Sequence, residues 1–523
     1  MDSASPYVVL FHALSLIPIL HYVIFLLLAI TVILYHFLEI HLLSDILHCF
    51  RGDAVTLTYN HSSPLYQLVI TRCKVLHERF RPTPWLASPH LQTMFLSIFG
   101  TSPNIPYKRI LFPCSDGGTI ALDWLIGSDG IGTKDSNTPI MLVIPGLTSD
   151  STSAYVKHFA FKIAQAGWNV VVSNHRGLGG VSITSDCFYN AGWTEDIRNV
   201  VQYIRRQYPE GHIFAVGTSI GANILVKYLG EDGTRTPLVG AAAICSPWDL
   251  VVCDRFISRR LAQRFYDRVL AIGLQGYAKL HQSILARLVD WNGIEMSQSI
   301  RDFDNYATRV LGKFETVDTY YRRSSCVDSI TNVKVPLLCI SSLDDPVCTR
   351  EAIPWDECRA NINVVLATTQ HGGHLAYYEG LKAKSLWWVR AAAEFFHALH
   401  DSPLATMRAK FETEESSIPG GQFHDTPECE TVATVINKST SGDETKDDGG
   451  IEDRGVQRAG NDNHHETENS LNSLLQPFKR RADQLARYSR ASLWLLAYLA
   501  ITTTWPLLRS TLFAFLNKKL RKK

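Results

Sequence analysis

One stretch narrows the folds open to this chain more than any other: residues 212–230, HIFAVGTSIGANILVKYLG. An apolar run at 213–216 meets Gly217-Thr218-Ser219-Ile220-Gly221 with no linker, and apolar residues then recur at helical spacing at Ile224, Leu225, Tyr228 and Leu229. The pattern reads as strand, sharp turn, helix. A strand that turns directly into a helix strains its central turn residue and brings strand and helix almost into contact, so the flanking positions must be small. Gly217, Gly221 and Ala222 meet that need. The turn would lift the Ser219 hydroxyl onto a helix N-terminus, where backbone N–H groups and the helix dipole favour developing negative charge. Ser219 is therefore the candidate nucleophile. The plainer reading, a strand-to-helix turn with no chemical role, is countered by the strand before it and the helix after it.

The surrounding chain alternates short apolar, β-branched segments with amphipathic helical ones. Strands are expected at 107–112, 119–126, 140–144, 168–173, 239–244, 335–341 and 362–367. Helices are expected at 154–166, 193–208 and 383–397, with a helix-rich excursion at about 247–329. Strands alternating with helices imply right-handed crossovers and a mostly parallel sheet, an α/β fold with its site at the strand C-termini.

That geometry directs attention to the loops that follow the later strands. Ser342-Leu343-Asp344-Asp345-Pro346-Val347 follows one of them, and Thr368-Thr369-Gln370-His371-Gly372-Gly373-His374 follows the next. Serine, acid and histidine thus occur in that order, each where the sheet opens to solvent. A serine hydroxyl needs an imidazole to take its proton, and the imidazole needs a carboxylate to hold its tautomer. Asp345 is preferred to Asp344 because a residue before proline is pushed out of the helical region and into a projecting loop; Asp344 would brace that turn. His374 is preferred to His371 because Gly372-Gly373 permits a close backbone approach just before it. The oxyanion donors expected are the N–H groups of Ile220, next after the nucleophile, and Leu147, in the loop Pro145-Gly146-Leu147-Thr148. His175-Arg176-Gly177 reads as a structural turn held by Arg176, with substrate contact as the other reading.

Several of these pieces together resemble the AB hydrolase 4 family. They are Thr83-Pro84-Trp85-Leu86-Ala87-Ser88-Pro89-His90-Leu91-Gln92-Thr93, Pro145-Gly146-Leu147-Thr148, Asn174-His175-Arg176-Gly177, Gly217-Thr218-Ser219-Ile220-Gly221, Asp344-Asp345-Pro346 and Gly372-Gly373-His374. The resemblance covers about residues 82–400, and its motifs fall in family order. It implies an α/β-hydrolase fold with a helical cap, Ser219, Asp345 and His374 as a charge-relay triad, and carboxylester substrates with acyl chains: phospholipids, monoacylglycerols or medium-chain fatty acyl esters. Many relatives carry methionine where Ile220 stands, which leaves the backbone donor intact.

The flanking segments differ in character. Residues 8–38 form a long apolar run without a charged side chain. That exceeds the ~20 residues needed to cross a bilayer. With no basic start and no small-residue cleavage site, it reads as an uncleaved N-terminal transmembrane helix and not a secretory signal. Arg51, Arg72 and Lys74 on its downstream side favour a cytosolic catalytic domain; the endoplasmic reticulum is a plausible host membrane. Asn60-His61-Ser62 is a glycosylation acceptor only if the domain is lumenal. Residues 401–475 are rich in small, polar and acidic residues and read as a disordered tether. Residues 476–523 combine basic clusters with an apolar stretch at 491–508, which reads as membrane-associated. Within the excursion, Leu261, Phe265, Val269, Leu270 and Leu274 suggest an apolar helix face interrupted by Arg259, Arg260, Arg264 and Arg268. One reading is a cap whose apolar side receives an acyl chain; the other is a helix packed on the body with a solvated basic face.

The sequence therefore organises as 1–45 membrane anchor, 46–106 connecting region, 107–400 α/β-hydrolase domain with a cap at about 247–329, 401–475 linker and 476–523 C-terminal membrane-associated segment. A formal net charge of +1 gives no electrostatic reason to expect a nucleic-acid partner. Eleven scattered cysteines, none in a CxxC pair, favour reduced thiols over a disulfide scaffold or a zinc site. The expected activity is hydrolysis of a lipid carboxylester at a membrane through an acyl-serine intermediate, with no metal or cofactor. Transfer of the same acyl group to an alcohol is the alternative within that chemistry, and a non-catalytic membrane scaffold on a hydrolase fold is the alternative outside it.

Overall fold

The computed structural model describes residues 15–36, 41–125 and 137–407, all within the unit Met1–Ala433. Among these residues, nine strands form one sheet: β1 (Thr56–Tyr59), β2 (Lys108–Pro113), β3 (Thr119–Leu125), β4 (Ile140–Ile144), β5 (Asn169–Ser173), β6 (Ile213–Thr218), β7 (Leu238–Ile244), β8 (Leu337–Ser342) and β9 (Val364–Thr369). Their spatial order is β1-β9-β8-β7-β6-β4-β5-β3-β2. The six strands from β5 to β9 are parallel; β3 and β2 add antiparallel at one edge, and β1 at the other.

Burial on both faces explains why the central strands read as unbroken apolar runs. Along β4, Met141 and Val143 enter one hydrophobic cluster, while Ile140, Leu142 and Ile144 enter the other. Helices Ala154–Ala164 and Trp387–His400 cover the first face with Phe159, Ile163, Trp388, Phe395 and Phe396. Helices Glu195–Gln207 and Ile220–Asp232 cover the second with Val200, Ile204, Leu225 and Tyr228. Strands β2 to β9 begin and end within two residues of the expected bounds.

The segment expected to connect anchor and domain is built into the sheet. β1 pairs with β9, Thr56 opposite Thr368 and Tyr59 opposite Val365. Asn60, within the sequon, donates to the carbonyls of Arg359 and Ala360. Helix Pro89–Phe99 delivers buried Gln92 and Thr93 to the loop that follows β9, and buried His90 to Tyr266.

The N-terminal apolar run expected to span a membrane falls only partly within the described residues. The described part of the apolar run is the helix Ile19–His36, 18 residues long, starting after Pro18. Its length is about 27 Å at 1.5 Å per residue. Among the described residues no helix is long and apolar enough to cross a membrane. Residues 1–14, 37–40 and 408–523 lie outside the described residues, and with them most of the 401–475 linker and all of the 476–523 segment.

Candidate active site

The strand order reverses between β4 and β6, so the crevice at their C-terminal ends is where an α/β sheet opens to a ligand. Ser219 stands there, between the end of β6 and the first turn of Ile220–Asp232, with φ 52° and ψ −122°. That is a strained conformation for a residue with a side chain, held by its neighbours. A Cβ on Gly217 would press on the Gly221 carbonyl and come within 2.7 Å of the Ala222 Cα; one on Gly221 would press on the carbonyls of Ile144 and Pro145. These obstructions are backbone and cannot swing aside. Gly221→Ala is expected to destabilise the fold by about 1–3 kcal/mol, the cost of overpacking, measurable as a lowered midpoint in urea unfolding with m unchanged.

The three residues expected to act together meet. His374 Nε2 lies 3.0 Å from Ser219 Oγ, and His374 Nδ1 lies 2.9 Å from Asp345 Oδ2. The Asp345 side chain is 2% exposed and that of His374 14%. The other Asp345 oxygen, Oδ1, accepts from the backbone N–H groups of Val347 and Cys348, each at 2.8 Å. The carboxylate is thus oriented from both ends. The turn behind His374 is strained, with Leu375 at φ 61° and Tyr377 at φ 42°. Donation from Trp388 Nε1 to the Leu375 carbonyl and from Trp387 N to the Tyr377 carbonyl, both 2.9 Å, holds it.

Sequence reasoning gave no role to Thr93, whose hydroxyl accepts from the His374 backbone N–H at 2.9 Å, or to Gln92, whose side-chain oxygen accepts from Tyr378 N at 3.0 Å. Both tie the histidine loop to helix Pro89–Phe99. The contacts span more than 280 residues of sequence, and no local pattern announces them.

The two alternates, Asp344 and His371, pair with each other. Asp344 Oδ1 accepts from Gly373 N at 3.0 Å, and its Oδ2 lies 3.3 Å from His371 Nδ1. His371 Nε2 faces Asp53 at 3.5 Å, and Asp53 also meets His48 Nδ1 at 3.1 Å. Burial lowers the His371 pKa, but the bond and charge of Asp344, with Asp53 and Asp45 behind it, outweigh burial and raise it overall. A group raised in the folded state stabilises fully below its unfolded value, near 6.5 for histidine, and loses that contribution as pH rises through the folded value. His371→Gln is therefore expected to lower stability most below about pH 6.5 and to flatten the fall above it, as read from urea midpoints across pH.

Two groups of side chains have donor atoms close enough to hold an ion, among the described residues. One is Cys245, Asp345 and His374, where burial, with the nearby Asp345 charge, pushes the Cys245 thiol pKa well up, so that it stays a protonated and poor ligand. The other is His48, Asp53 and His371, where the His371 ring lies between the carboxylates of Asp53 and Asp344.

Leu147 and Ile220 both line the crevice beside Ser219. The loop that carries Leu147 is held from behind. His175 Nε2 donates to the Pro145 carbonyl at 2.9 Å, and its ring stacks on Tyr189 with centroids 4.5 Å apart. Burial lowers the His175 pKa and keeps the imidazole neutral. Arg176 is buried between Asp116 and Asp196 and so works as the structural turn expected of it.

A cavity of about 580 Å³ opens from Ser219. Its walls include Leu96, Ile98, Leu270, Leu274, Phe303 and Tyr320. Leu270, Leu274, Phe303 and Tyr320 come from the 247–329 excursion, which therefore forms a cap over the strand ends. Helix Leu261–Leu280 does not present one apolar face, as its sequence suggested. Leu270 and Leu274 turn into the cavity, whereas Leu261, Phe265 and Val269 face solvent. Arg259 of the cap pairs with Glu351 on the body at 3.3 Å, and Arg264 donates to the Ser258 carbonyl within the cap.

A family model described as serine aminopeptidase, S33, matches residues 135–381. The chain is 37% identical over 320 residues to a protein from Picea glauca named embryogenesis-associated protein EMB8, covering 60% of this chain and 70% of that one. It is 31% identical over 329 residues to human phospholipase ABHD3, covering 62% and 80%. It is 26% identical over 396 residues to monoacylglycerol lipase of Saccharomyces cerevisiae, covering 67% and 86%.

Proposed function

The chain belongs to the AB hydrolase 4 family, and from that premise we propose that it is a serine hydrolase of lipid carboxylesters working through an acyl-serine intermediate. One observation carries the reading: the line of hydrogen bonds from Ser219 through His374 to Asp345 at the mouth of a largely apolar cavity. In the first half-reaction Ser219 Oγ attacks the ester carbonyl carbon while His374 Nε2 takes its proton. The N–H groups of Leu147 and Ile220 receive the oxyanion. The carbon–oxygen bond to the leaving alcohol then breaks, and His374 returns the proton to that oxygen. In the second half-reaction water attacks the acyl-serine, His374 again taking and returning a proton, and the fatty acid leaves.

The acyl chain has the cap-lined cavity to occupy, and the relatives named as a phospholipase and a monoacylglycerol lipase act on esters of that shape. The N-terminal apolar segment, represented by Ile19–His36 and exposed along most of its length, supports attachment to a lipid bilayer, and Arg51, Arg72 and Lys74 downstream of it favour a hydrolase domain on the cytosolic side.

Fluorophosphonate labelling of the full chain, followed by a screen of phospholipid, monoacylglycerol and medium-chain acyl esters, tests this reading. Labelling together with released fatty acid is the expected result. An alcohol ester as the main product when a short-chain alcohol is supplied would move the assignment to acyl transfer. A chain that is not labelled, or that is labelled equally as Ser219→Ala, would leave a non-catalytic scaffold.

A further inference from the structure

The cap helix Leu261–Leu280 carries two different faces. Inward, Tyr266, Leu274 and Tyr277 are buried, and Leu270 and Leu274 line the cavity that holds Ser219. Outward, Leu261 is 62% exposed, Phe265 52%, Val269 47%, Ile272 52% and Leu280 75%. Steps of four, four, three and eight residues put these five side chains on one stripe along the helix. Met296, also exposed, stands beside it, since Arg268 and Gln275 both donate to the carbonyl of the adjoining Ser297.

The outward charge carried by this helix itself has one sign. Arg264, Arg268 and Lys279 flank the stripe, and the helix's one acidic residue, Asp267, is buried and accepts from the Ile300 backbone N–H. Arg264 and Arg268 donate to carbonyl oxygens, which leaves their positive charge in place. Two exposed acids stand near this helix, Glu295 on the neighbouring helix and Glu351, which pairs with Arg259. A solvent-facing stripe of Leu, Phe, Val and Ile flanked by Arg and Lys has the make-up of a helix that lies in the plane of a bilayer, its apolar side at the headgroup–acyl boundary and its cations on anionic headgroups.

We propose that the outward face of Leu261–Leu280 docks on an anionic lipid bilayer, with Phe265, Val269 and Ile272 inserted. This rests on the lipid-ester reading for its purpose and not for its evidence. One helix thickness then separates the bilayer from the cavity, so an ester moves from membrane to Ser219 without crossing bulk water. The docking surface is separate from the N-terminal apolar segment and sets which side of the domain meets the lipid.

The test uses the full chain with Ile272→Cys carrying a nitrobenzoxadiazole label, read against the unsubstituted chain treated with the same reagent. Vesicles of phosphatidylcholine with 30% phosphatidylserine should blue-shift and brighten the label. Arg264→Glu with Lys279→Glu, or high salt, should reverse most of that change. In parallel, Phe265→Asp with Val269→Asp should cut turnover of a vesicle-borne ester about tenfold or more and leave kcat/KM on a soluble short-chain ester within about twofold. A label that stays in water while the chain is bound to the vesicles overturns the proposal, whatever the activity. A shift that grows with protein concentration without lipid also overturns it, because a second copy then covers the face. A lipid-dependent shift in a chain that cleaves no lipid ester leaves the docking in place and removes the substrate reading instead.

Discussion

Ser219→Ala is expected to abolish fluorophosphonate labelling and to lower kcat for ester hydrolysis by roughly 10⁶-fold, with urea unfolding nearly unchanged. The substitution keeps the Cβ in the strained turn and removes only Oγ, the atom 3.0 Å from His374 Nε2. His374→Ala should fall to about the same floor, because a hydroxyl without its base is as unreactive as a base without its hydroxyl. The double variant should then be little worse than either single one, since residues that act as one unit are strongly non-additive. The activity left over should come from the oxyanion donors and substrate binding, which the variants do not touch. Steady-state kinetics on a soluble ester reads all three chains, and a Ser219→Ala enzyme retaining more than roughly one part in a hundred of native kcat would remove Ser219 as nucleophile.

Asp345→Asn is expected to cost about 10⁴-fold in kcat, as loss of the tautomer-holding carboxylate does in a serine triad. The geometry gives the reason. The backbone N–H groups of Val347 and Cys348 already point at Oδ1, so the amide of an asparagine must place its oxygen there. Its NH₂ then faces His374 Nδ1, which must accept; the ring proton moves to Nε2, and the imidazole donates to Ser219 instead of taking its proton. Asp344→Asn makes the control at the neighbouring position. Its amide oxygen still accepts from Gly373 N, and only the pairing with His371 loses its charge. That change should shift the histidine loop slightly and cost roughly tenfold or less in kcat, a positioning effect. Equal losses at 344 and 345 would overturn the assignment of the two aspartates.

Much of the fold was legible because its signals are local. A parallel strand buried on both faces must be apolar throughout, so β4, β6, β7, β8 and β9 appear in the sequence as runs such as IMLVI and LVGAAAI. The elbow is also local, since strand, turn and helix meet within a few residues and only glycine fits beside the turn. Chain order carried the rest of the catalytic reading, because Asp345 and His374 each follow a strand and strand ends share one edge of the sheet.

Other features depend on what a segment meets in space. β1 is a four-residue edge strand, TLTY, too short and too polar to stand out, and its partner β9 lies some 300 residues away. Thr93 gains its place beside His374 only when helix Pro89–Phe99 packs against that loop. The cap helix is the clearest case. Its sequence contains enough apolar residues for more than one face, and periodicity alone cannot say which of them a cavity will cover. Composition and short-range spacing determined the α/β sheet, the elbow and the ordered serine, acid and histidine, because those follow from what a few consecutive residues can do. Packing decided which aspartate reaches the imidazole, which residues brace it and which side of Leu261–Leu280 faces out, because each of these is set by contact between segments far apart in the chain.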